Sequence, residues 1–86
     1  MATIAEEAQS LTSGDRHEAY GSANVIFTRL GRIWGAMLNI PDIPPQTVAL
    51  MLAAHKISRE THRSKRDNRV DIIGYTILSD QCLEEE

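Results

Sequence analysis

The chain has 86 residues, 42% hydrophobic and 24% charged, with a formal net charge of −3. That length holds one domain, residues 1–86, and buries only roughly 60–65% of the unfolded surface, so the core is thin. The acidic balance argues against a nucleic-acid coat and the single cysteine, Cys82, against an internal disulfide; no apolar run reaches the roughly 20 residues that cross a bilayer.

In chain order, "TIAEEAQSLTSG" carries Ile4, Ala8 and Leu11 at helical spacing, with Thr3 placed to cap and Gly14 to stop. "GDRHEAYGS", bracketed by glycines, reads as a structured loop or a turn of helix. A second helix from Ser22 repeats Ile26/Phe27, Leu30, Ile33/Trp34 and Met37/Leu38 in steps of three and four. Gly31 and Gly35 lie on it, where each costs about 1 kcal/mol relative to alanine, so the pair predicts a close backbone approach within the chain or across a dimer. "NIPDIPPQ" ends that helix, and Pro45 opens a third through "QTVALMLAAHKISRETH", with Val48, Met51, Leu52 and His55 along one face. After the turn "RSKRD", a fourth helix is expected from about Asp67 to Cys82 or Leu83, striped by Val70, Ile73, Ile77 and Leu78. No alternating strand pattern appears. The expected fold is all-α, a compact bundle of three to four helices with frayed ends.

Charge is distributed unevenly. Residues 56–69 hold Lys56, Arg59, Arg63, Lys65, Arg66 and Arg69 against Glu60 and Asp67, a local balance of +4 in an acidic chain. Asp71 stands between Val70 and Ile72, where an ionised carboxylate needs a partner. An antiparallel hairpin of the third and fourth helices would bring Lys56 or Arg59 to it. The histidines do not converge: His55 and His62, seven apart, are separated by about 10.5 Å of helical rise, too far to share a metal. No nucleophile elbow, Walker loop or Rossmann fingerprint is present.

Arg16 in the Gly-Asp-Arg turn, Tyr20, Lys56 and Arg59 are the residues expected to line one phosphate-binding pocket, with Asn24 and Asp71 as orienting neighbours. Guanidinium forks suit phosphate, and a tyrosine offers a ring for stacking. Arg63, Lys65, Arg66 and Arg69 read as solvent or rim charges. No catalytic residue, cofactor or metal ligand is expected. The partners expected are a phosphorylated small molecule or nucleotide and a second copy of the chain, with no membrane and no direct DNA or RNA contact.

"GDRHEAYG" followed by Asn24, Phe27 and Trp34, then "KISR" and "DNRVDIIGY", resembles a family of small phage and prophage proteins over residues 12–78. The resemblance implies the cytoplasm of an infected or lysogenic bacterial cell. A more remote similarity, through "VDIIGYTIL", is to all-α nucleotide pyrophosphohydrolases of the MazG-like kind, which hold magnesium with Glu-x-x-Glu and Glu-x-x-Asp pairs. Here Asn68 stands where a glutamate would precede Asp71, and no Glu-x-x-Glu lies on the second or third helix. The expectation is therefore a module that binds a nucleotide without cleaving it, one use being to sequester a host signalling nucleotide. The alternatives are a reduced pyrophosphohydrolase with Asp67 and Asp71 on magnesium, or an interaction subunit using the Gly31–Gly35 face.

Overall fold

The computed structural model describes residues 1–13 and 22–85. Among these residues are four helices and no strand: α1 (Ile4–Leu11), α2 (Ala23–Leu38), α3 (Pro45–His62) and α4 (Arg66–Glu84). The all-α expectation holds, with boundaries within a residue or two of those read from the sequence. No helix among them is long and apolar enough to cross a membrane.

Local chemistry explains each start and stop. Thr3 and Glu6 form a reciprocal capping box at α1: the Thr3 hydroxyl accepts the Glu6 N–H at 3.1 Å, and the Glu6 carboxylate accepts the Thr3 N–H at 3.0 Å. The Ser22 side chain caps α2. At its other end Asn39 adopts the left-handed conformation (φ 57°), which asparagine tolerates better than most residues, and Ile40 N–H reaches back to Gly35 C=O at 2.9 Å. The chain then doubles back along α2, and Pro45 opens α3 in the first turn.

That return segment lies on the glycine face. A Cβ on Gly31 would sit 1.9 Å from the Ile43 carbonyl oxygen, and one on Gly35 would sit 3.0 Å from the Ile40 and Pro41 carbonyls. Of the two uses open to the glycine pair, the structure shows the one within the chain. The face expected to serve an interface is covered by residues 40–43.

Helices α3 and α4 form the central hairpin. Gln46 meets Ser79, Lys56 meets Asp71, and Glu60 meets Asn68 and Arg69, so the two run antiparallel. Helix α1 runs parallel to α4: Glu7 and Ala2 receive Arg66, while Thr12 accepts from Gln81. Helix α2 docks at the far end of the hairpin, where Ser22 donates to Glu85 at 3.2 Å. The core joins Ala23 and Phe27 of α2, Val48 and Ala49 of α3, and Leu78 and Cys82 of α4. Trp34 packs against it, half-buried.

One face differs from expectation. On α3 the buried residues are Val48, Ala49 and Ala53, with Leu52 half-buried, whereas Met51 and His55 are exposed. Alanines at 49 and 53 admit neighbouring helices closely, and that contact turns the larger Met51 outward. The α4 stripe is likewise mixed, with Asn68, Gly74 and Ser79 buried beside Val70, Leu78 and Cys82.

Candidate functional site

The carboxylate that looked out of place in the sequence has its partner. Lys56 Nζ lies 3.0 Å from Asp71 Oδ2, joining the middle of α3 to the first turns of α4. The side chains are 20% and 35% exposed, so the pair is neither fully hydrated nor sealed. Exposed pairs contribute about 0.2–1 kcal/mol, and breaking buried ones costs about 3–5, so Asp71→Ala should destabilise by about 1–2 kcal/mol. A double-mutant cycle with Lys56→Met, read by urea denaturation, measures the coupling directly. Additive losses from the two changes would show that the pair contributes nothing.

A second carboxylate, Glu60, organises the α3–α4 turn. One oxygen accepts the Lys65 backbone N–H at 2.8 Å and the Asn68 amide at 3.2 Å; the other accepts the Ser64 hydroxyl at 2.8 Å and Arg69 Nε at 2.6 Å. Lys65, the residue preceding α4, has no side-chain cap of its own. Glu60, reaching across from α3, satisfies its N–H instead. The Lys65 N–H and then the Ser64 hydroxyl, aided by Asn68 and Arg69, hold the Glu60 carboxyl down at about 2 against an ordinary 4.5. The folded value lies below the unfolded one, so this stabilisation is present above about pH 4.5 and is lost as pH falls towards 2. Glu60→Gln should flatten the acid limb of Tm against pH in that window. An unchanged limb would sink the assignment.

Beside this turn a cleft of about 420 Å³ opens, lined by Ser58, Arg59 and His62 of α3, Arg63 and Lys65 of the turn, and Asn68 of α4. None of the described residues that line it is acidic. Helix α4 begins at its edge and presents the positive end of its dipole there. A second, apolar cavity of about 80 Å³ lies between α1 and α4, lined by Ala8, Leu11, Thr12, Val70, Asp71, Gly74, Tyr75 and Leu78. It is too small for a nucleotide.

The expected site residues therefore divide. Lys56 and Asp71 are brought together, but neither lines the cleft that holds Arg59. Asn24 is elsewhere: its N–H donates to Ser22 Oγ at 3.2 Å in the first turn of α2, at the C-terminal end of α4. The cleft lies at the opposite end of that 19-residue helix, roughly 28 Å away by helical rise. Arg16 and Tyr20 lie outside the described residues. Arg63 and Lys65, read as rim charges, line the cleft, as do His62, Ser58 and Asn68. The local excess of basic residues was the signal that could have found them.

Among the described residues no magnesium centre is assembled. Asp71 is engaged by Lys56 and Glu60 by four donors, and among the described residues no group of three His, Cys, Asp or Glu side chains comes together. Magnesium in phosphate chemistry takes an octahedral oxygen shell through one or two carboxylates together with waters and substrate phosphates, and the donors already on Asp71 and Glu60 compete with that role.

Comparison with known proteins places this architecture. The family described as "Domain of unknown function (DUF6378)" matches residues 3–83, which take in all four helices except the last residue of α4. The chain belongs to the DUF6378 family. It is 31% identical over 86 residues to the "Gene 55 protein" of Mycobacterium phage L5, a match covering 98% of this chain and 55% of that protein. The chain thus spans about half the length of that curated relative. These matches support the phage-type family expected from the motifs, and neither carries the more remote MazG-like similarity. No solved structure matches the chain.

Proposed function

We propose that this DUF6378 chain is a phage-type helical module that binds a nucleotide or similar phosphorylated small molecule and releases it unchanged. The observation that carries the reading is the cleft at the α3–α4 turn, where Arg59, Arg63, Lys65 and His62 converge on about 420 Å³ of space with no carboxylate among the described lining residues. Small-ligand sites commonly measure roughly 300–1,000 Å³. Arginine forks and a helix N-terminus are both suited to phosphate oxygens. Polar Asn68 adds hydrogen-bonding capacity for a sugar or base. A ligand of this class occurs in the cytoplasm of a bacterial host, and withdrawing a signalling nucleotide there is a use suited to a phage product.

Isothermal calorimetry of a nucleotide panel, with and without magnesium, tests the reading, followed by chromatography of each incubated ligand. Binding that weakens with salt and returns the ligand intact is the expected result. Magnesium-dependent release of pyrophosphate would replace it with the hydrolase reading. No binding across the panel would leave an interaction subunit, on a surface other than the covered Gly31–Gly35 face.

A further inference from the structure

Helix α3 has a second face that the described residues leave uncovered. Thr47, Leu50, Met51, Ala54, Ile57, Ser58 and Thr61 are all exposed, and none is charged. Leu50 and Ile57 are each 50% exposed and Met51 41%. A helix with one face in water ordinarily carries charge there, and this face carries none, with Leu50, Met51 and Ile57 as its large apolar residues. Residues 47, 50, 54, 57 and 61 follow the three–four spacing of a helix-pairing seam. The described molecule is also thin, 43 × 32 × 20 Å, with a radius of gyration of 13.4 Å where a compact chain of this length would have about 12 Å.

We propose that α3 is a dimerisation helix, two copies of the chain packing these faces antiparallel across a two-fold axis at Ala54. The charge distribution selects both the occupant and the direction. The C-terminal half of α3 carries Lys56, Arg59, Glu60 and His62 and is followed by Arg63, a basic excess, whereas its N-terminal half, from Pro45 to Ala54, carries no charge and is preceded by Asp42. Asp42 is exposed and only loosely held, its carboxylate 3.7 Å from Arg32 Nε. A parallel pair would stack the two basic ends on each other. An antiparallel pair sets each basic end near the partner's Asp42 and opposes the two helix dipoles favourably. The same self-complementary patch serves both copies, as a two-fold interface requires. About Ala54 the register sets Thr47 against the partner's Thr61, Leu50 against the partner's Ser58, and Met51 against the partner's Ile57. The small Ala54 at the axis lets the helices approach to about 8–10 Å.

Sedimentation at low-micromolar protein should give a dimer, and Ile57→Lys should convert it to a folded monomer with unchanged helical circular dichroism. Oxidative cross-linking fixes the register without relying on that variant. Ala54→Cys should link to itself, Thr47→Cys alone should not, and Thr47→Cys with Thr61→Cys should. The unsubstituted chain, whose Cys82 is buried, is the control. A monomer at all concentrations, a dimer indifferent to Ile57→Lys, or self-linking of Thr47→Cys would each overturn the proposal.

Discussion

Gly31→Ala is expected to be the most damaging single methyl in the chain, lowering stability by about 3 kcal/mol or more. The added carbon would lie 1.9 Å from the Ile43 carbonyl oxygen and 3.2 Å from a Val48 methyl. Neither neighbour can swing aside. Ile43 is anchored by its N–H, which donates to Gly31 C=O at 3.2 Å, and Val48 is fully buried in the core. Relief requires moving the whole 40–43 segment off α2, and that segment sets the start of α3. Alanine's better helix propensity, about 1 kcal/mol, offsets only part of this loss. For a domain of this size each kcal/mol moves Tm by about 4–8 °C, so a drop of 12 °C or more should appear in a melt.

The other helical glycines give the control. At Gly35 a Cβ meets backbone at 3.0–3.2 Å, so a smaller loss is expected. At Gly74 it meets only a Thr12 methyl at 3.6 Å, an ordinary contact. Gly74→Ala should therefore raise stability by up to about 1 kcal/mol. Three equal shifts would refute the close-approach account and leave propensity alone as the cause.

The parts that local chemistry decides were legible in the sequence. Prolines 41, 44 and 45, the Thr3 cap and the three–four apolar spacings act within a few residues, and they mark all four helices. The Lys56–Asp71 pair was legible too, because a short turn between two helices permits few arrangements. What the sequence withheld depends on tertiary placement. Two glycines four apart announce a close approach but not the approaching chain, and here it was the protein's own return segment. Asn24 was grouped with Lys56 because nothing local reveals that α2 docks at the far end of α4. Glu60 reads as one more surface charge until the turn brings Ser64, Lys65, Asn68 and Arg69 around it. The same turn makes a cleft wall of Arg63 and Lys65, which in the sequence read only as solvent or rim charges.

That division makes the binding experiment discriminating. Arg59→Gln and Arg63→Gln should each weaken a phosphorylated ligand by roughly tenfold to a hundredfold, the equivalent of one charge-assisted hydrogen bond of about 1.5–3 kcal/mol. Both side chains are exposed, so the fold should tolerate the changes. Losses at independent contacts add approximately, and the double variant should lose about 10²–10⁴-fold in affinity. Lys56→Met probes the site read from the sequence: it removes the cation held by Asp71 without altering a residue that lines the cleft. Near-normal affinity in Lys56→Met, alongside the collapse in the arginine pair, would put the phosphate at the α3–α4 turn. The reverse pattern would move it to the middle of the hairpin, beside Asp71. Arg32→Gln, on α2, is the control for charge alone, since it lowers the net charge by the same unit and lies outside the cleft lining. Equal weakening by Arg32→Gln would mean that the ligand responds to the overall field of the protein, and the cleft would lose its claim.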